Sequence, residues 1–383
     1  MHRRSVAILA GLMLACSMSG AGSAATPVAS PAAPCDPGES AKLVPVAGHA
    51  YHSAYFSWTG NETGYSSDSI DSFEQMTGKP VSAVVFSNHW GRNGNLSIRF
   101  PANLVQTIWA NGSLPDLRMM PWTRNDYSGR PDPLISMQRI VNGRYDDALR
   151  TWFRNARDLG IPFMAEFGVE VNGEWFPWNG KYNGGGRTDG YGNKSYPDGP
   201  ERFRDAYRHI VNLSRSVGAD DITWSFHVDA GSWPRTWWNK PKYYYPGNAF
   251  VDWLAVSNYG EQVPGEEDWF PFTDKLGDPA DARSSYRQID ALAPDKPFAL
   301  IEFGVTEDPP NDKAKWISDA YDAVTPPGNA YDFQMVSYWS EKWENGDGSI
   351  SDLRVNSSTA ALAAYKAGVA DAYFASTPQF ACA

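Results

Sequence analysis

Three cysteines in 383 residues are too few for a disulfide-built scaffold, so the chain must fold around an apolar core. Basic charge is short as well: 33 Lys and Arg against 44 Asp and Glu give a net charge of -11 and a pI near 5.0. A chain without a positive surface is not expected to bind a phosphate backbone or an anionic membrane, and nucleic acid is set aside as a partner. Past its N-terminus the sequence has no run approaching the roughly 18 consecutive apolar residues of a membrane span. A glycine-rich phosphate turn is also missing, since the turn after the first apolar run reads SWTGNETG. His49, His52 and His227 are not spaced as metal ligands, so neither a metal nor another cofactor is expected.

Aromatic residues are abundant instead, at 14% of the chain, with 16 Trp and 19 Tyr. An acidic, ring-rich chain suits sugar binding, because pyranose faces stack on rings and hydroxyls bond to carboxylates and amides. The first residues, MHRRSVAILAGLMLACSMSGAGSAA, combine a basic start, an apolar stretch and small residues at Ala24 and Ala25. That is the pattern of a secretory signal over residues 1–25, followed by a leader over 26–40 and one catalytic domain over 41–383. A secreted, extracellular monomer is expected, with no membrane attachment unless Cys16 is lipidated.

Short apolar runs alternate with longer helical segments. Eight strands are predicted, at about 46–56, 82–88, 115–122, 161–169, 221–228, 251–258, 297–303 and 333–339. Helices are predicted at Asp68 to Thr77, Tyr145 to Leu159, Glu201 to Val217 and Ser358 to Phe374. In the second of these Ala148, Trp152, Phe153, Ala156 and Leu159 form the apolar stripe, and Gly160 is the C-cap. Strand followed by helix, repeated without interruption, predicts an α/β fold, a single (β/α)8 TIM barrel. Cys16 leaves with the signal, and a closed barrel brings its ends together, so Cys35 and Cys382 are predicted to form a disulfide.

The C-terminal ends of barrel strands build the active face. Two of the predicted strands end in glutamate: IPFMAEFGVE runs into NGEWFPW, and KPFALIE runs into FGVTEDP. Carboxylates are rare at the ends of apolar strands unless they have a task or a partner. Glu170 and Glu302 converging on one mouth supply what glycosidic cleavage needs, a proton donor and an ionised group. Trp175, Trp178, Trp122, Trp90 and Trp339 follow or end strands and are candidate stacking platforms, with Trp339 and Trp122 preferred. Asn172 is a candidate to orient Glu170 or a sugar hydroxyl, and His89 to bond a sugar.

VEVNGEWFPW resembles the HEMNGxWFPW signature of glycoside hydrolase family 26, and LIEFG resembles that family's strand-seven segment. FEQMTGKPVSAVVF followed by HWG, YYPGNAFVDWLAVSNYG, and FQMVSYWSEKWE followed by DLRVNSS agree in order, so the resemblance covers about residues 45 to 370. Members are retaining, endo-acting hydrolases of β-linked polysaccharides, mostly mannanases, with some mixed-linkage β-glucanases and β-1,3-xylanases. The resemblance implies Glu170 as acid/base, Glu302 as nucleophile, Tyr259 as a hydrogen-bond donor to Glu302, and β-1,4-mannan as the leading polysaccharide substrate. The alternatives are the other two substrates or a non-catalytic carbohydrate-binding protein.

The sequence departs from the family where Val169 replaces a histidine, Glu166 an arginine and Ser257 an acidic residue. Alternation puts Glu166, Gly168 and Glu170 on one side of a strand, with Glu166 roughly 13 Å below Glu170 at about 3.3 Å per residue. An unpaired carboxylate there is costly. Arg118, at matching depth on strand three, is the expected partner of Glu166, and Val169 weakens the mannan expectation more than the mechanism.

Overall fold

The computed structural model describes residues 35–36, 39–56, 64–124, 129–265, 269–328 and 330–382. The predicted signal and most of the leader lie outside these residues. No helix among the described residues is long and apolar enough to cross a membrane.

Eight parallel strands form the barrel: β1 Ala50–Tyr55, β2 Ala83–His89, β3 Leu114–Met120, β4 Phe163–Phe167, β5 Ile222–Asp229, β6 Trp253–Tyr259, β7 Phe298–Gly304 and β8 Met335–Trp339. Each pairs with its sequence neighbours, and the ring closes where β8 pairs with β1 from Met335↔Tyr51 to Trp339↔Tyr55. Every predicted strand has a counterpart, because sequences such as AVVFSNH are buried on both faces and read as continuous apolar runs.

The helices lie at Ser67–Thr77, Asp146–Leu159, Asp198–Ser216 and Thr359–Val369, among others. In Asp146–Leu159 the acidic first turn complements the helix dipole and Gly160 closes the helix at φ 63°. Its buried stripe is Leu149, Trp152, Phe153 and Ala156. Ala148, expected in that stripe, is exposed, because the helix is rotated so that Leu149 faces the sheet.

Two apolar layers result. The outer one packs the helices on the strands and includes Phe163, Ala165, Phe167, Leu300 and Phe303. The inner one fills the barrel floor with Tyr51, Leu114, Met164, Trp253, Ala299, Ile301 and Met335. Leu43 joins that floor, and its carbonyl accepts a hydrogen bond from Trp253 Nε1 at 3.1 Å. The strand Ala41–Leu43 pairs antiparallel with Phe380–Cys382, and Cys35 is disulfide-bonded to Cys382. The first and last described strands are thus tied together beneath the barrel floor, which leaves the opposite face free for loops.

Candidate active site

Glu170 does not reach the mouth by strand alternation. β4 ends at Phe167, and the chain turns through Gly168 at φ 62° and Glu170 at φ 48°. A side chain at Gly168 would meet the Phe203 ring at 2.8 Å, so both backbone and packing demand glycine. A glutamate in the left-handed region costs about 1–3 kcal/mol and persists only where its surroundings hold it. Here the aromatic run does that holding. Trp178 Nε1 donates to the Val169 carbonyl at 2.7 Å, Asn179 Nδ2 to the Val171 carbonyl at 2.8 Å, and Gly173 N–H to the Glu170 carbonyl at 2.7 Å. Trp175 folds back over Gly173, where a Cβ would come within 2.2 Å of the indole, and its Nε1 donates to Glu170 Oε2 at 2.7 Å. The estimate of a straight strand from Glu166 to Glu170 is therefore corrected.

Glu302 is aimed by a different irregularity. In β7 the inner face carries Ala299 and Ile301 and the outer face Phe298 and Leu300. Simple alternation would send Glu302 outward with Leu300. The register with β6 slips between Leu300↔Val256 and Glu302↔Ser257, a bulge that turns Glu302 into the barrel mouth. Its Oε1 lies 3.2 Å from Arg118 Nη2, and its Oε2 accepts the Tyr259 hydroxyl at 2.8 Å. Burial pushes the Glu302 carboxyl from 4.5 up to about 8, a rise opposed by Arg118 and reinforced by the charge of Glu170.

Below this level lies a buried polar cluster. Arg118 and Glu166 are partners in the β3–β4 register, as expected, and Arg118 also forms an ion pair with Glu302. Glu166 Oε2 sits 2.6 Å from His227 Nδ1, while His227 Nε2 lies 2.6 Å from Ser257 Oγ. Burial raises Glu166 to about 7, against the pull of Arg118 and of a hydrogen bond to Asp116. Asp116 rises well above the usual carboxylate range through burial and then through Glu166. Burial holds His227 down at about 4. Burial thus raises both Asp116 and Glu166, and protonation relieves their charge alongside the pull of the Arg118 guanidinium.

Folded Glu166 titrates near 7 and unfolded Glu166 near 4.5. The folded chain therefore binds more protons across that window; the stability is complete below the lower value and is lost as pH rises through the upper one. Glu166→Gln removes that ionisation and should raise stability at about pH 8 by up to about 3 kcal/mol, with little change near pH 5. Thermal unfolding at the two pH values checks this; an equal effect at both would contradict it.

The mouth opens into a cleft of about 1400 Å³ whose lining includes Glu170, Glu302, Tyr259, Trp175, Trp339 and His89. Trp339 lines the cleft with only 5% of its surface exposed; Tyr55 stacks on it at 3.8 Å and 9°, and the Arg118 guanidinium lies over the ring at 4.7 Å. Trp122 is fully buried against Phe176, Trp178 and His89, and Trp90 packs on Tyr145 and Phe167. Trp178 stacks on Phe176 at 4.3 Å, so these three indoles build the wall behind the cleft and do not line it. Asn172 is likewise a staple: its Nδ2 donates to the carbonyls of Asp229 and Gly231 at 2.8 and 2.6 Å, and its Oδ1 accepts the Asp229 N–H at 2.8 Å. It fixes the loop after β5 against the Glu170 turn.

Sequence reasoning missed Asp229, Trp233 and Lys275, which also line the cleft. Asp229 ends β5 in ITWSFHVD, the same signal of a carboxylate closing an apolar strand that marked the two glutamates. Burial and then the Glu170 charge push it up to about 8, while Lys275 pulls it down.

A closed (β/α)8 barrel with paired carboxyls at the strand C-terminal ends is the architecture of a sugar-cleaving enzyme. The chain belongs to glycosyl hydrolase family 26, whose sequence model matches residues 103–295, a span that contains Glu170 and stops short of Glu302. Endoglucanase H of Acetivibrio thermocellus is 26% identical over 317 residues, covering 82% of this chain and 30% of that protein. This chain thus spans about a third of the length of that curated relative. Among solved structures, a modular endo-β-1,4-mannanase from Cellulomonas fimi shares the fold with TM-score 0.57 at 19% identity, over 85% of this chain and 72% of that one. The catalytic domain of the Bacillus sp. JAMB-750 endo-β-1,4-mannanase aligns with TM-score 0.58 at 16% identity, over 85% and 87% of the two chains.

Proposed function

We propose that the chain is a secreted, retaining endo-β-glycanase, with Glu302 as nucleophile and Glu170 as acid/base. The supporting observation is the unequal surroundings of two carboxyls that face one cleft. Glu302 has a guanidinium and a donating tyrosine hydroxyl, which favour its ionised form against the burial that raises its carboxyl. Glu170 has Trp175 Nε1 on Oε2, which leaves Oε1 to carry a proton toward the leaving oxygen.

The retaining cycle starts from one proton on the pair, carried by Glu170, with Glu302 ionised. In the first step Glu302 attacks the anomeric carbon as the glycosidic C–O bond breaks, and Glu170 hands its proton to the departing oxygen. In the second, Glu170 takes a proton from water, the water oxygen attacks the same carbon, and the ester to Glu302 breaks. Both carboxyls return to their starting states with net retention.

The leading substrate is β-1,4-mannan, on the family resemblance and the mannanases among the structural neighbours. A β-glucan is the second reading, supported by the name of the curated relative and by Val169, which is buried in the outer apolar layer beside Glu170. Release of reducing ends from mannans, mixed-linkage β-glucan and xylans, compared with Glu302→Ala, decides between them. Endo action predicts a viscosity drop well ahead of reducing-end release. A wild-type chain that binds these polymers and cleaves none would sink the proposal.

A further inference from the structure

The loop after β5 carries two exposed indoles. Trp233, 42% exposed, lines the cleft, whereas Trp237, 57% exposed, lies outside it and is the most exposed large apolar side chain among the described residues. We propose that Trp237, with Tyr243 and Tyr196, forms a second carbohydrate-binding platform that holds a β-linked polysaccharide chain on the active face beside the cleft. The inference rests on the proposed polysaccharide substrate and extends it to a site the chemistry does not use.

Trp237 is held outward by its neighbours. Trp238, the next residue, is buried over Gly186 and Gly180, where an added Cβ would approach its ring to 2.3 and 2.9 Å. Asn239 is fully buried, donating to the carbonyls of Asn172 and Pro234 at 2.8 and 3.1 Å and accepting the Tyr244 hydroxyl. With two anchors immediately following it, Trp237 has no room to fold inward. A side chain fixed in this way loses little freedom on binding, which favours association.

The ring is also backed. Tyr243 meets Trp237 edge-on at 6.0 Å, and Tyr196 meets Tyr243 edge-on at 5.6 Å. The Tyr196 hydroxyl donates to the Lys242 carbonyl at 3.2 Å, joining the loop after β5 to the loop after β4. Arg204, tied to Glu201 and Asp205, backs Tyr196 at 4.4 Å, and exposed Lys242 lies over Tyr243 at 4.9 Å as a cationic donor beside the rings. One exposed indole with two half-buried tyrosines is far below the roughly 800 Å² per partner of a stable protein interface. A pyranose face matches the area of an indole, and both loops follow adjacent strands on the face that carries the cleft.

The test uses the Glu302→Ala chain in native gels containing a soluble galactomannan, a glucomannan or a mixed-linkage β-glucan. At least one polymer should retard it, and adding Trp237→Ala should weaken that retardation about threefold to tenfold. Ile350→Ala, at another exposed apolar side chain, should leave it unchanged. With Glu302 intact, Trp237→Ala should lower kcat/KM on the polymer by a similar factor and leave a short oligosaccharide untouched. Equal retardation with and without Trp237, or no retardation by any polymer, overturns the proposal, as does an equal loss on the oligosaccharide, which would place Trp237 in the cleft. Retardation that depends on Trp237 in a chain whose wild type releases no reducing ends would keep the platform and remove the proposed activity.

Discussion

Replacing Glu302 by alanine should lower kcat on the preferred polysaccharide by about 10⁴-fold or more, the scale of losing a covalent nucleophile. The effect is expected to be large because nothing else in the mouth stands in the same place. Glu302 is turned inward by the β7 bulge and held from both oxygens by Arg118 and Tyr259. Glu170→Ala should behave differently. Its loss should cost roughly 10²–10⁴-fold where the leaving group needs a proton, and far less on an aryl glycoside whose phenolate leaves unaided. Azide should then restore turnover of that aryl glycoside by attacking the glycosyl-enzyme without a general base. Steady-state rates on both substrates separate the roles; equal losses on both for Glu170→Ala would contradict its assignment as acid/base.

Arg118→Met should be the most damaging change away from the two glutamates. The guanidinium pulls down both Glu302 and Glu166 and covers a face of Trp339. Without it both carboxyls titrate higher, and a carboxyl whose folded value is raised loses stability as pH rises through that value. The variant should therefore be weaker by about 3–5 kcal/mol near pH 8, and the deficit should shrink toward pH 5, where both carboxyls are already protonated in the folded chain. Activity should fall with it, and the acidic limb of the kcat profile should move to higher pH, because ionised Glu302 becomes scarcer. Urea unfolding at two pH values and a pH–rate profile read these effects. A Tm within about one degree of wild type at both pH values, with an unmoved acidic limb, would contradict the charge map.

The barrel was legible because parallel strands buried on both faces leave continuous apolar runs, and eight of them closing on each other needs no further signal. The disulfide followed from two leftover cysteines at the chain ends. Glu166 was placed inside the barrel by parity, and it lies there. What alternation does not encode is its own failure: the slip between Leu300 and Glu302 and the left-handed turn at Gly168 and Glu170 are local irregularities that a period-two pattern hides. The tryptophans misled for a related reason. Strand-end indoles were expected to face the cleft, but Trp122 and Trp178 are buried behind it, where Trp178 holds the strained Glu170 turn. Arg118 was expected at the depth of Glu166, where the register puts it, and its side chain is also long enough to reach Glu302.

Mass spectrometry of the chain inactivated by a 2-deoxy-2-fluoro β-glycoside with a dinitrophenolate leaving group tests the proposed chemistry most directly. The fluorine slows both steps and the good leaving group restores the first, so the covalent intermediate accumulates. The account predicts one added glycosyl unit, carried on the peptide that contains Glu302. A label on any other residue, or hydrolysis with inversion and no label, would contradict it.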